Sequence, residues 1–535
     1  MKIKLAPAWC FFLLAAACGD PQDDVSKSES NTLTFVHLND TYRIDAVEDG
    51  ERGGFARVAS IVRELQKDGR ELRLLHGGDF LFPSLESQLW AGEQMVEAMN
   101  FLDALAPMYV VPGNHEFDPR GADAFIRAVQ GAEFEWLGDN MRFQTGQNDV
   151  DEALRQAFTF DSNGRTIGIF SLTLLPKDGG NVRDYAVVDK PYMDTARKVL
   201  AKFRAAQVDV VIGLTHLHMA DDLRLSALRA EYPEFLFIVG GHEHEPEFQA
   251  LSDSNAAIMK GASNARSIWQ IDVHFDGADT PRLATNLVAV DTSIAEDPAY
   301  MEIATRWRAR LLELMPFLQS TVGSAAVPLD GREVTVRNEE SNWGNFIVDQ
   351  MPLAFRAPPA DLAFINSGTL RIDDFVAGDI TFEDIGRTFG FSSYLRHMTI
   401  AGGDFVTLLE AGYRGTGPSK GYFPQIAGFR VCVDRSRHNG ERIVQLQVPD
   451  DDGWQQIDRD RDYSLVAPAF LVRGGDGYDF SKARNVSRAG SELRYLVLDA
   501  IIRAQAQGRA VGAPVDPENP RIAFLSPGDE RCFPD

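Results

Sequence analysis

The chain has 535 residues, with 44% hydrophobic and 24% charged side chains, which is globular material long enough for two domains and fits no disordered class. Its formal net charge is −25, from 53 Lys plus Arg against 78 Asp plus Glu. That balance argues against wrapping a nucleic-acid polymer, which needs a basic face to neutralise phosphates, but leaves small anionic substrates open if metal ions or a few arginines override the local field.

The chain begins "MKIKLAPAWCFFLLAAACGD": two lysines, an apolar run from Leu5 to Ala17, then Cys18. The run is too short to span a bilayer comfortably and ends in small residues, so residues 1–17 read as an export signal. "LAAAC" resembles a bacterial lipobox with Leu14 one place early, which implies lipidation of Cys18 and a periplasmic or cell-surface anchored protein. Simple cleavage near Ala17, with Cys18 incidental, is the alternative. The polar stretch 18–31 then reads as a flexible tether. Cys10 leaves with the signal, and Cys432 and Cys532 either pair in an oxidising compartment or stay as two buried thiols.

From Thr32 to about Val290, strand-like apolar runs alternate with amphipathic stretches such as "GFARVASIVRELQ" and "DTARKVLAKFRAA", the pattern of a layered α/β domain. Five of these runs end in Asp, Asn or His. "LTFVHLND" delivers Asp40, "ELRLLHGGD" Asp79, and "PMYVVPGNHEFD" Asn114, His115 and Asp118. "VDVVIGLTH" delivers His216, and "IVGGHEH" delivers His242 and His244. Carboxyl ends of strands are where open α/β sheets place their chemistry, and mixed Asp, Asn and His donors suit Zn²⁺, Mn²⁺, Fe²⁺ or Co²⁺. "EDPAYMEIATRWRARLLELMPFLQ" has helical periodicity, with Asp297 and Pro298 as a start signal, and reads as a connecting helix. A second α+β block follows.

These elements resemble the 5'-nucleotidase/UDP-sugar hydrolase family of the calcineurin-like metallophosphoesterase superfamily. The resemblance implies a four-layer α/β metallophosphoesterase sandwich at 32–295, a linker helix at 296–323 acting as a hinge region, and a separate α+β substrate-binding domain at 324–535. It implies two divalent metal ions, one held by Asp40, Asp79 and His244 with Asp79 bridging, the other by Asn114, His216 and His242. His115, oriented by Asp118, is then the transition-state histidine. The family's Asp-x-His is here "NDTYRID", so Tyr42 stands where a histidine ligand is usual, and the first metal is weaker, differently selected or completed by water. His37 lies earlier on the strand as the nearest other imidazole.

In the second block, "VTVRN", "INSGTLR", "TFGF" and "GGDGY" resemble the family's substrate motifs. They imply Arg337 and Arg371 for phosphate, Asn366 for base or sugar, and Phe391 with Tyr478 as an aromatic pair around a nucleobase. The expected activity is hydrolysis of a nucleoside 5'-monophosphate to nucleoside and phosphate. Alternatives on the same site are a nucleotide-sugar pyrophosphate, a 2',3'-cyclic nucleotide with 3'-nucleotidase action, or a thiosulfonate-type ester. A catalytically silent nucleotide-binding surface lipoprotein is the rival of a different class, and His115 with Asp118 argues against it.

Overall fold

The computed structural model describes residues 31–533 except 120, 175–179, 189–190, 276–280, 356–357, 416–419, 452 and 527. The export signal, the lipidation cysteine Cys18 and all of the tether but Asn31 therefore lie outside the described residues.

Two six-stranded sheets build the first domain. In one, strand Thr32–Leu38 runs parallel to Glu71–His76, which continues through Met108–Val110 to Glu135–Trp136, while Ser267–His274 and Arg282–Ala289 add antiparallel strands on the other side. In the other, Val210–His216 lies parallel between Arg165–Thr173 and Phe235–Gly240. Alternation along each strand decides which side chains meet. Leu33 and Phe35 face the second sheet and join Ile212, Leu214, Phe237 and Val239 in the central core. Val36 and Leu38 face outward, under helices Phe55–Lys67 and Glu93–Asp103. Helix Tyr192–Ala205 covers the outer face of the second sheet through Ala196, Val199, Leu200 and Phe203. The result is helix, sheet, sheet, helix, with both sets of parallel strands ending at the same edge.

Asp297 caps helix Pro298–Leu314, its side chain accepting from the Ala299 and Tyr300 amides. The sequence reads this segment as a linker and hinge, but its buried residues Tyr300, Ala304, Trp307 and Leu311 belong to the core beneath the first sheet. This apolar stripe packs the helix against the first domain, while Arg308 on it pairs with Glu383 of the second.

The second domain holds two four-stranded sheets, one centred on Asp462–Pro468 and Leu362–Asn366, the other on Ile443–Asp450 and Arg430–Val433. Cys432 and Cys532 form a disulfide across 100 residues, tying the end of the chain to this second sheet. Closing so long a loop removes denatured-state entropy, and replacing both cysteines by Ser is expected to lower stability by about 2–5 kcal/mol, read from the denaturant midpoint of the second domain's transition. No helix among the described residues is long and apolar enough to cross a membrane.

Candidate metal centre

The strand ends converge. Asp40, Asp79 and His216 are buried and offer ligand atoms within 4.8 Å of one another. His216 Nε2 is 3.2 Å from Asp79 Oδ2 and 3.2 Å from Asn114 Oδ1. His244 Nε2 is 3.3 Å from Asp40 Oδ1, and the His242 ring centroid is 5.3 Å from that of His216. The backbone is shaped to allow this. Asp40 (φ 52°), Asp79 (φ 61°), His242 (φ 84°) and His244 (φ 64°) all adopt the left-handed region, which side chains other than glycine occupy mainly where the surroundings over-determine it. Two glycines permit the close approach: a Cβ on Gly113 would lie 2.1 Å from Asp79 Oδ1, and one on Gly241 2.4 Å from the Gly77 carbonyl.

The donor chemistry fits a cation. His216 Nδ1 donates to the Gly77 carbonyl at 2.6 Å, so a neutral ring points the lone pair of Nε2 at a carboxylate and an amide oxygen. Three acceptors facing one another are stable only with a shared cation or an extra proton. Burial lowers the His216 pKa, yet Asp79 and Asp40 lift it to about 9, which shows how strongly this spot attracts positive charge. Burial likewise pushes Asp40 up, but His244, His216 and Asn39 hold its carboxyl well below the usual range.

Tyr42 sits among the donors. Its hydroxyl lies 2.9 Å from His244 Nε2, 3.2 Å from Asp40 Oδ1 and 3.4 Å from Asp79 Oδ2. Burial and then the Asp79 and Asp40 charges push the phenol well above its ordinary value, so it keeps its proton and donates it to these groups. His37 is no substitute ligand, because both ring nitrogens face carbonyls, of Leu75 and Gly240, at 3.1 Å. A His at position 42 offers a neutral nitrogen donor where the phenol offers a proton. We expect Tyr42→His to tighten first-ion binding about tenfold and Tyr42→Phe to leave it within a few-fold, as read from metal titrations. Weakening in both variants would show that the phenol oxygen itself holds the ion.

His115 lies beside this cluster with its ring turned to Asp118. Its backbone N donates to Asp79 Oδ1 at 2.7 Å, and its Nδ1 donates to Asp118 Oδ2 at 2.7 Å. Burial lowers this imidazole's pKa, but the carboxylates of Asp118 and Asp79 raise it above its ordinary value overall. Arg371, from the second domain, brings Nη2 to 3.3 Å from His115 Nε2 and stacks between the rings of Tyr42 and Phe391, 5.3 Å from each centroid. Its buried Nη1 has no hydrogen-bond partner among the described residues, and so is available to an anionic oxygen.

Three groups carry roles that sequence reasoning missed. The Glu116 carboxylate accepts from the amides of Asp79, Phe80, Leu81 and Gly113 and thereby holds two ligand loops together. Burial and then Asp79 raise its pKa to about 7. His218 packs on His242 with ring centroids 4.4 Å apart. Glu333, from the second domain, accepts from His244 Nδ1 at 2.7 Å. Glu116 stood within the quoted "GNHEFD" motif, but nothing in its spacing marks what it touches.

The expected substrate residues are placed unevenly. Arg337 is buried and donates to Glu333 Oε1 at 2.7 Å. The Asn366 amide is engaged at both ends, donating to Asp476 Oδ2 and accepting from Thr369 Oγ1, each at 2.8 Å. Phe391 is half-buried, with its ring 5.6 Å from that of His115. Tyr478 corrects the expectation of an open aromatic pair. Its ring is 0% exposed and packs on Phe364, and its hydroxyl donates to the Tyr422 carbonyl at 2.6 Å, so in this arrangement it is a core side chain and not one wall of a base slot.

A sequence model described as calcineurin-like phosphoesterase matches residues 33–246, and one described as 5'-nucleotidase, C-terminal domain, matches 321–483. The 5'-nucleotidase of Bos taurus is 24% identical over 526 residues, covering 88% of this chain and 88% of that protein. The trifunctional nucleotide phosphoesterase protein YfkN of Bacillus subtilis (strain 168) is 24% identical over 519 residues, and although 89% of this chain is covered, the match spans only 34% of that longer protein. Among solved structures, a 5'-nucleotidase precursor from Thermus thermophilus superposes with a TM-score of 0.77 at 23% identity, over 92% of this chain and 99% of that one. With the ligand-bearing strand ends of the first domain and the matching second domain both in place, the chain belongs to the 5'-nucleotidase family of calcineurin-like metallophosphoesterases and is a phosphoric ester hydrolase.

Proposed function

We propose that this hydrolase converts nucleoside 5'-monophosphates to nucleoside and phosphate, and that it does so outside the cytoplasm on a lipid anchor at Cys18. The observation that carries the reaction is the convergence of Asp79 Oδ2, Asn114 Oδ1 and His216 Nε2, at 3.2 Å from His216 to each oxygen, beside His115, whose Nδ1 donates to Asp118. Two divalent ions, one on Asp40, Asp79 and His244 and one on Asn114, His216 and His242 with Asp79 between them, would supply a hydroxide at neutral pH and clamp the phosphoryl oxygens.

The chain's own residues do the rest. Arg371 Nη1 binds a phosphoryl oxygen, and the stack on Tyr42 and Phe391 keeps the guanidinium plane fixed while it does so. His115 Nε2 is the group that stabilises charge on the leaving oxygen or returns a proton to it, with Asp118 holding Nδ1. Relatives named 5'-nucleotidase that match over most of both chains support the nucleotide substrate. The apolar run before Cys18 and the Cys432–Cys532 pairing support export. In this reading the domains are bounded at about 32–295 and 324–535, with the helix Pro298–Leu314 between them packed on the first.

One observation favours a second reading. With Tyr478 buried and Asn366 engaged, recognition through the phosphate alone is served better than recognition through the base. Phosphate release should therefore be measured, with Mn²⁺ or Zn²⁺ added, from the four common nucleoside 5'-monophosphates and ribose 5-phosphate, and the nucleoside monophosphate formed from a 2',3'-cyclic nucleotide and from UDP-glucose followed by chromatography. Turnover of ribose 5-phosphate as fast as that of every nucleotide would replace the first reading by the second. Turnover of the cyclic or sugar nucleotide alone would move the assignment to that ester.

A further inference from the structure

The two imidazoles that face the metal centre with Nε2 are held from behind by different domains. His216 Nδ1 donates to the Gly77 carbonyl, a backbone group of its own domain. His244 Nδ1 donates instead to Glu333 Oε2 at 2.7 Å, and Glu333 lies on the short helix Glu333–Val336 of the second domain. The same oxygen accepts from Ser263 Oγ at 2.8 Å. The His244 and Glu333 side chains are 5% and 2% exposed, so water does not replace this contact while the domains are docked.

Glu333 is itself fixed. Arg337 Nη2 donates to its other oxygen at 2.7 Å, and its backbone N donates to Asp373 Oδ1 at 2.9 Å. Asp373 in turn accepts from Asn264 Nδ2 of the first domain at 3.0 Å. The carboxylate is thus presented to His244 on a second-domain framework that is keyed to the first domain at a separate point.

We propose that Glu333 is a positioning residue of the metal centre. By accepting the Nδ1 proton it fixes His244 with Nε2 toward the first ion, so that retention of that ion depends on the second domain being docked. The inference rests on the dimetal reading above. A carboxylate behind a ligating imidazole sets its tautomer and raises its basicity, and loss of such a partner typically weakens metal binding by about 10–100-fold. Here the partner is absent whenever the domains separate. By linkage, an ion on the first site favours docking as much as docking favours the ion. The second ion, whose His216 is held by Gly77, is exempt. That asymmetry separates a positioning role from an ordinary interface ion pair, which would leave both ions alike. It falls on the site where Tyr42 already replaces a usual histidine.

The test uses the full chain, stripped of metal and titrated with Mn²⁺ by calorimetry, with bound ion counted after dialysis. Wild type should bind two ions. Glu333→Gln should weaken one of them by about 10–100-fold and leave the other within twofold. Glu333→Asp, which keeps the charge on a shorter arm, should fall between. Should Glu333→Gln be recovered unfolded by near-ultraviolet circular dichroism, Glu333→Asp decides the matter in the same titration. Two unchanged affinities, or equal weakening of both, overturn the inference while leaving the dimetal reading standing. A folded wild-type chain that binds no ion overturns the dimetal reading itself.

Discussion

Replacing Asp79 by Ala is expected to abolish phosphatase activity and to remove most of the bound metal. Its carboxylate is 1% exposed and reaches both halves of the centre: Oδ2 lies 3.2 Å from His216 Nε2 and 3.4 Å from the Tyr42 hydroxyl beside His244 and Asp40. Oδ1 accepts the His115 amide at 2.7 Å, so the same side chain also anchors the backbone of His115. Removing it leaves His216 and Asn114 without the negative charge that makes a cation favourable there, and leaves His115 without its backbone anchor. Desolvated acceptors without a partner cost about 1–3 kcal/mol each, so some loss of stability accompanies the loss of metal. Metal content after dialysis and turnover on the preferred nucleotide check this together. Wild-type values for both would remove the dimetal assignment.

How far the sequence reaches is clearest at this same site. That these Asp, Asn and His side chains would meet was legible because each lies at or just beyond the end of an apolar strand, and parallel strands of one layered domain must end at a common edge. Asp40 and Asp79 follow neighbouring strands, with Leu38 opposite His76, and the structure brings them together for that reason. His216 and His242 end neighbouring strands of the other sheet. What spacing could not show is contact across the chain. Glu333 reaches His244 over 89 residues, and Lys420 reaches Glu243 over 177 at 2.8 Å, both from a domain whose placement no local pattern encodes. Burial was equally hidden. Tyr478 stands in "GGDGY", a stretch that reads as one wall of a base slot, yet its ring is in the core with Phe364. The start of the helix Pro298–Leu314 follows from its Asp297 cap, whereas its end falls short of Gln319, where the periodic stretch stops, and its covered stripe depends on partners such as Trp90, whose ring centroid is 5.1 Å from that of Trp307.

The second large effect is expected at His115, and it differs in kind. His115→Ala should leave both ions bound and KM nearly unchanged while lowering kcat by about 10²–10⁴-fold, the contribution typical of a positioned proton-transfer group. The separation follows from the geometry. The His115 ring makes its polar contacts with Asp118 Oδ2 at 2.7 Å and Arg371 Nη2 at 3.3 Å, neither a member of the ligand group, and only its backbone touches Asp79. An Ala keeps that backbone amide, so Asp79 stays in place. The imidazole, by contrast, meets its partner only when charge develops on the leaving oxygen, and an interaction made chiefly in the transition state lowers kcat without altering ground-state binding. Asp118→Asn should show the same pattern with a smaller loss, because the amide still orients Nδ1 but no longer supports a protonated ring. Ion content, KM and kcat measured side by side for the two variants check the assignment. Loss of metal from His115→Ala comparable with that from Asp79→Ala would instead make this histidine part of the ion's support.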